Sequence, residues 1–167
     1  MDTPARKVPR MHLSSTAYAD GATIPARYAT TRVEGGLGIS VPLVWSDEPA
    51  DTRSYVIEMI DHHPVAHGWV HWLVMDIASD VHAIDENASA TSAMPVGAIE
   101  LPNTGGRAGY GGPQPPVGSG VHDYEITISA LDIAHPGVRA DGTLADVRAA
   151  MYGHVMAQAV LVGRFGR

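Results

Sequence analysis

The sequence predicts a single β-rich α+β domain. Three observations lead there. The chain holds 18 glycines and 12 prolines among its 167 residues. That is well above the ~12% the two ordinarily supply together, and it favours many turns over long helices. Several short stretches have the β-branched and aromatic content, or the two-residue alternation, of strands. One stretch near the C-terminus combines a helix start signal with an apolar stripe.

The elements follow in order. Residues 1–36 are turn-rich, punctuated by Asp20-Gly21 and Gly35-Gly36. Leu37 to Val44 reads as a strand, with Trp45 to Pro49 as the loop after it. Tyr55 to Ile60 reads as a buried strand and Trp69 to Ile77 as another. Residues 80–120 are loop-dominated. Their densest Gly/Pro run, Gly105 to Gly120, cannot enter a sheet interior, because Pro lacks an N–H and Gly has no side chain to pack. A loop that long inside a compact domain is usually functional or disordered. His122 to Leu131 alternates, with Tyr124, Ile126, Ile128 and Ala130 on one face. Thr143 is placed as an N-cap with Asp146 three residues on, close to a capping box. The helix runs near residues 143–152, with Leu144, Val147 and Met151 inward. Gln158 to Phe165 closes the chain as a last strand.

Composition excludes several functions. The formal charge is −7 and Lys7 is the one lysine. A basic groove for nucleic acid is therefore not expected, although one local anion site is compatible with this balance. With no cysteine, disulfides, thiolate zinc sites and cysteine nucleophiles are excluded. No run is long and apolar enough for a membrane span. Met1 to Arg10 lacks the apolar core of a secretory leader, so a cytoplasmic protein is expected.

Three groups carry chemistry. Asp61-His62-His63-Pro64 follows the strand 55–60, and on an extended backbone Asp61 and His63 point the same way. Alone, the group also reads as a solvated turn. His71 precedes Trp72 inside the strand 69–77, on the face of Trp69, Leu73 and Met75. It reads either as a core histidine or as a ring aimed into a cleft. The Gly/Pro loop leads into His122 and Tyr124, which share a face. Its glycines, Gly111 and Gly112 among them, let backbone N–H groups approach an anion closely. His63, His67 and His71 have the spacing of a helical zinc face, but Pro64 and Gly68 argue against a helix there, and no metal is expected. Gly118-Ser119-Gly120 lies in the Gly/Pro loop, without the strand–turn–helix context of a hydrolase nucleophile.

Together these motifs resemble the phosphatidylethanolamine-binding protein family, in its bacterial and archaeal Raf-kinase-inhibitor-like branch. The likeness runs over about residues 36–166. It rests on a strand ending in Asp61, then His71-Trp72, then Gly109 to Pro116 (GYGGPQPP), then Gly120-Val121-His122 leading to Tyr124, then the Gly153 to Phe165 run. The resemblance implies a β-sandwich-like domain with a large central sheet, a smaller second sheet and short helices. It implies a pocket for phosphate, acetate, cacodylate or a phospholipid headgroup, lined by Asp61, His71, Pro116, His122 and Tyr124, and no cofactor. It also suggests a homodimer and a protein partner, such as a kinase or protease. Two departures from the family stand out. His62 and His63 stand where it has Pro and a second Asp, and Asp123 stands where it has Arg. The first departure implies that His63, His71 and His122 converge on one anion, the second that the pocket rim loses a cation. The expected function is a small-anion or headgroup binding protein. The alternatives are a phosphoester or acyl hydrolase using Asp61, His71 and His122, and an interaction scaffold with a vestigial pocket.

Overall fold

The structure is a computed structural model that describes residues 10–167. The stretch inspected for a leader lies outside those residues except for Arg10, and Lys7 lies outside them too. Two antiparallel sheets form the domain. β1 (His12–Ser14), β2 (Leu43–Ser46) and β5 (Ala83–Ile84) make the smaller, in the order β1-β2-β5. The larger runs β6-β4-β3-β7-β8, from β3 (Ser54–Asp61), β4 (Trp69–Ala78), β6 (Ile99–Glu100), β7 (Val121–Leu131) and β8 (Val155–Gly166). One helix, α1 (Leu144–Met151), lies between β7 and β8 in the chain.

The central strand β3 is buried along its whole length, which is why it reads as an apolar run, broken by Glu58, rather than an alternating one. One face of the large sheet packs on the small sheet and its loops. Trp45 of β2 meets Tyr55 of β3 edge-on, with ring centroids 5.5 Å apart. The other face is covered by α1, where Val147 and Met151 pack on Val56, Leu73 and Leu131. Burying such side chains is worth about 1.5–3 kcal/mol each. The predicted capping box is present. The Thr143 hydroxyl accepts from Asp146 N–H at 3.3 Å, and Thr143 N–H donates to Asp146 Oδ2 at 2.8 Å.

The strands expected at 55–60, 69–77, 122–131 and 158–165 are present, with ends shifted by three residues at most. The expected strand Leu37 to Val44 is not. Gly38 takes a left-handed φ of 66°. The N–H groups of Leu37 and Gly38 donate to the carbonyls of Arg27 and Ala29, so the segment joins a loop rather than a ladder. Pro42 precedes the real strand β2, which takes in Trp45 and Ser46. Three short strands, β1, β5 and β6, had no sequence expectation.

A bulge in β4 decides how the site is built. Met59 pairs with Trp72 and Ile60 with Val70, leaving His71 as an extra residue. An extra residue flips the alternation of side chains beyond it. Val70, Leu73 and Met75 therefore lie on the helix side, while Trp72 and Val74 lie between the sheets. The expectation that His71 shares a face with Leu73 and Met75 is corrected accordingly. Its ring meets Tyr124, a residue of the inter-sheet core, edge-on at 5.1 Å.

Candidate functional site

The chemistry-bearing residues meet at one end of the inter-sheet core. Asp61 closes β3 directly opposite Tyr124 of β7. His122 and Tyr124 alternate with Ile126 and Ile128 on the inward face. The bulge brings His71 beside them. All four are buried: Asp61 3%, His71 6%, His122 1% and Tyr124 0% exposed. A cavity of about 830 Å³ opens here, and Asp61, His71, Gly111, Gly112, Pro116, His122 and Tyr124 all line it. His63 does not. A separate recess of about 470 Å³ beside Gly118–Val121 holds none of these residues.

Each polar group has a definable task. His122 Nδ1 lies 2.6 Å from Asp61 Oδ2, and its Nε2 lies 2.8 Å from Ser119 Oγ. Both ring nitrogens are thus engaged. The Ser119 hydroxyl in turn donates to the Pro116 carbonyl at 2.6 Å. Asp61 Oδ1 accepts the His63 backbone N–H at 2.8 Å, so neither carboxylate oxygen is idle. His63 stacks on His122, centroids 3.8 Å apart and nearly parallel, and its Nδ1 accepts from Val65 N–H at 3.3 Å. The three imidazoles expected to converge on an anion do not. His63 braces His122, His122 braces Asp61, and His71 alone turns a free ring nitrogen to the cavity.

The tautomer of His71 follows from its partner. Its Nδ1 lies 2.7 Å from the Gly111 carbonyl oxygen. A carbonyl only accepts, so Nδ1 carries a hydrogen and Nε2 is the free nitrogen. Burial, opposed by the Gly111 carbonyl and by Asp61, holds the His71 pKa below its ordinary value. The Tyr124 hydroxyl is buried and makes no hydrogen bond of normal geometry, although the Asp61 carboxylate lies close enough to act on it. Burial, then the nearby Asp61 carboxylate, push its phenol well up. It therefore stays a hydrogen-bond donor through the physiological range.

The two loop glycines act differently from a nest. Neither takes a positive φ. Gly111 N–H is already used, donating to the His71 carbonyl at 2.7 Å. Gly112 packs its α-carbon against the Tyr28–Thr30 backbone, and a Cβ there would sit 2.4 Å from the Tyr28 carbonyl oxygen. Gly112 N–H has no backbone partner and borders the cavity. Asp123 is not on the rim. It lies on the opposite sheet face and pairs with Arg164 at 3.1 Å, so its charge does not oppose an anion.

Sequence reasoning missed Ser119, which stands three residues before His122 in a tight turn. It set aside Gly118-Ser119-Gly120 for lack of a hydrolase elbow, yet a Ser–His–Asp line is present. It also missed Arg32, Trp69 and Arg107, which line the cavity. Exposed arginines in turns carry no spacing signal. No three His, Asp or Glu side chains among the described residues are placed to share a metal. His67 sits in a left-handed turn and His71 in a strand, so the helical spacing of the histidines has no counterpart. Among the described residues no helix is long and apolar enough to cross a membrane.

Comparison with known proteins agrees with this architecture. The family model described as phosphatidylethanolamine-binding protein matches residues 14–166. A UPF0098 protein of Methanothermobacter thermautotrophicus is 34% identical over 160 residues, 94% of this chain and 99% of the relative. The UPF0098 protein YbhB of Escherichia coli is 33% identical, over 93% of this chain and 99% of its own. The crystal structure of Escherichia coli YbcL, described as a new member of the mammalian PEBP family, superposes with a TM-score of 0.88. It is 25% identical and covers 95% of this chain and 99% of its own. By sequence and by architecture, this chain belongs to the phosphatidylethanolamine-binding protein family.

Proposed function

We propose that the protein binds small oxyanions, a phosphate, phosphate monoester or carboxylate, at the inner end of this cavity. The observation that carries the reading is the Tyr124 hydroxyl, fully buried without a hydrogen bond of normal geometry, beside the free Nε2 of His71. A buried donor left unpaired costs about 1–3 kcal/mol, which an anion oxygen would recover. Gly112, whose N–H has no backbone partner, also lines the cavity. His71 donates from Nε2 once it takes up a proton, so anion binding and protonation of His71 favour each other. Membership in a family named for a phospholipid supports the same ligand class.

The test is a titration with inorganic phosphate, followed by the His71 ring signals in NMR. We expect a saturable shift, tighter at pH 6 than at pH 7.5. Tyr124→Phe should weaken it about tenfold, the worth of one hydrogen bond to a charged group, without lowering the melting temperature. An unaltered His71 spectrum at both pH values would reject the anion site.

Hydrolysis has one observation in its favour, the line Ser119–His122–Asp61. Against it, the Ser119 hydroxyl is committed to the Pro116 carbonyl and does not border the cavity. Turnover of p-nitrophenyl acetate or p-nitrophenyl phosphate that vanishes in His122→Ala would replace the binding reading with this one.

A further inference from the structure

The cavity is far larger than a phosphate. At about 830 Å³ it has the size of a site for an organic molecule rather than a bare ion. Its outer part has its own chemistry. Arg32 and Arg107 both line it, both are exposed, and neither forms an ion pair among the described residues. Arg27, Arg139, Arg148 and Arg164 by contrast each pair with a carboxylate.

Both arginines sit on fixed turns. Arg107 lies in a hairpin closed by Asn103 N–H to the Arg107 carbonyl at 2.8 Å and by the Pro102–Ala108 bridge. Arg32 lies in the Thr30–Val33 turn, closed by a 3.0 Å bond and tied to Pro113 and Gln114 through Thr30. The lining also includes apolar side chains, Trp69 at 42% and Val65 at 52% exposed among them.

The charge balance of the cavity runs against that of the molecule. The chain carries −7 overall. Asp61, the one carboxylate lining the cavity, is already engaged on both oxygens at its inner end, by His122 and by the His63 N–H. Two guanidiniums, suited to fork-like contact with phosphate or carboxylate, are left to receive an anion.

We infer that Arg32 and Arg107 form an outer anion subsite, so that the ligand carries two negative groups. One enters the inner site at His71 and Tyr124. The organic link lies over Trp69 and Val65, and the second anion meets the arginines. This rests on the anion reading of the inner site. It selects bis-anionic phosphate esters over zwitterionic ones that end in an ammonium.

The experiment is calorimetry on the full chain at neutral pH with four probes. They are inorganic phosphate, propyl phosphate, phosphoethanolamine, and a series of alkane-α,ω-diyl bisphosphates of increasing length. One member of the series should bind on the order of tenfold tighter than propyl phosphate, as a charge-assisted contact implies. Phosphoethanolamine should gain nothing over propyl phosphate. In the Arg32→Ala/Arg107→Ala double variant the advantage of the bisphosphate over propyl phosphate should disappear, while inorganic phosphate still binds. Both arginines are exposed, so the variant should fold, which its melting curve checks. If phosphate binds but no bisphosphate exceeds propyl phosphate, or if the double variant keeps the advantage, the outer subsite is overturned and the inner one stands. If phosphate does not bind at all, both fall. Vesicles of phosphatidylcholine with and without phosphatidylglycerol phosphate distinguish the source. Sedimentation that needs the two-phosphate lipid and both arginines assigns the anions to a lipid, and binding of the soluble bisphosphate alone assigns them to a soluble ester.

Discussion

Gly111 and Gly112 are neighbours with opposite sensitivity. Nothing in their φ angles forbids a side chain, so space decides. A Cβ on Gly112 would meet three backbone atoms at 2.4–2.8 Å, and backbone cannot swing aside. A Cβ on Gly111 would meet the Asn103 amide at 3.2 Å, and that side chain can yield. Gly112→Ala should therefore cost about 3 kcal/mol, the upper end for overpacking, and Gly111→Ala well under half of that. Denaturant melts of the two variants check this, and equal losses would contradict it. The same scale governs His71. Its burial favours the neutral ring. In the unfolded chain the ring takes up a proton as pH falls below about 6.5, whereas the folded chain resists. Stability should therefore fall as pH drops from 6.5 toward the lowered folded value, and stay level in this respect above it. His71→Gln should flatten that slope. A variant that keeps the wild-type slope would assign it to other groups.

At the scale of elements, α1 is short, and what holds it is its capping box and its buried face. Arg148 on its exposed side reaches Glu58 of β3, with Nε and a terminal nitrogen both 3.1 Å from Oε2. Glu58 is only 5% exposed. Burial raises its pKa despite Arg148, which lowers it. Arg148→Ala leaves that carboxylate without its cation and should destabilise the fold by about 2 kcal/mol at neutral pH. A raised carboxylate contributes stability that is present at low pH and lost as pH rises through its folded value. The Arg148→Ala deficit should therefore shrink in melts at pH 4, and an undiminished deficit there would show that packing rather than charge is lost. The bulge at His71 is the other decisive element. Strict alternation from Val70, on the helix side, would put His71 between the sheets and turn Trp72 out of that core; the extra residue keeps both on the inter-sheet side.

Across the whole molecule, the site is where three strand ends of the large sheet meet the loops of the small one. The strands supply a rigid set, Asp61, His71, His122 and Tyr124. The loops supply Gly112, Arg32 and Arg107. Against the two arginines the cavity lining sets one carboxylate, Asp61, so the cavity is a local positive spot on a chain of net charge −7. On the proposed reading, such a spot would draw small anions without drawing polyanions, whose binding needs an extended basic track.

The sequence by itself determined the strands that make the large sheet, the capped helix and the order of the site motifs. Those features are local, written in alternation, capping residues and turn residues. It named Asp61, His71, His122 and Tyr124 as one group through the resemblance, because motif order survives without geometry. Only the tertiary structure decided which nitrogen faces the cavity. The His71 tautomer depends on a carbonyl 40 residues away, and the roles of His63 and His122 depend on stacking and hydrogen bonds formed across strands. The misplaced strand at Leu37 has the same origin, since its N–H groups found partners at Arg27 and Ala29. Pairing between distant segments leaves no period in the chain, and that is why the face of His71, the bracing by Ser119 and the two rim arginines became visible only once the sheets were assembled.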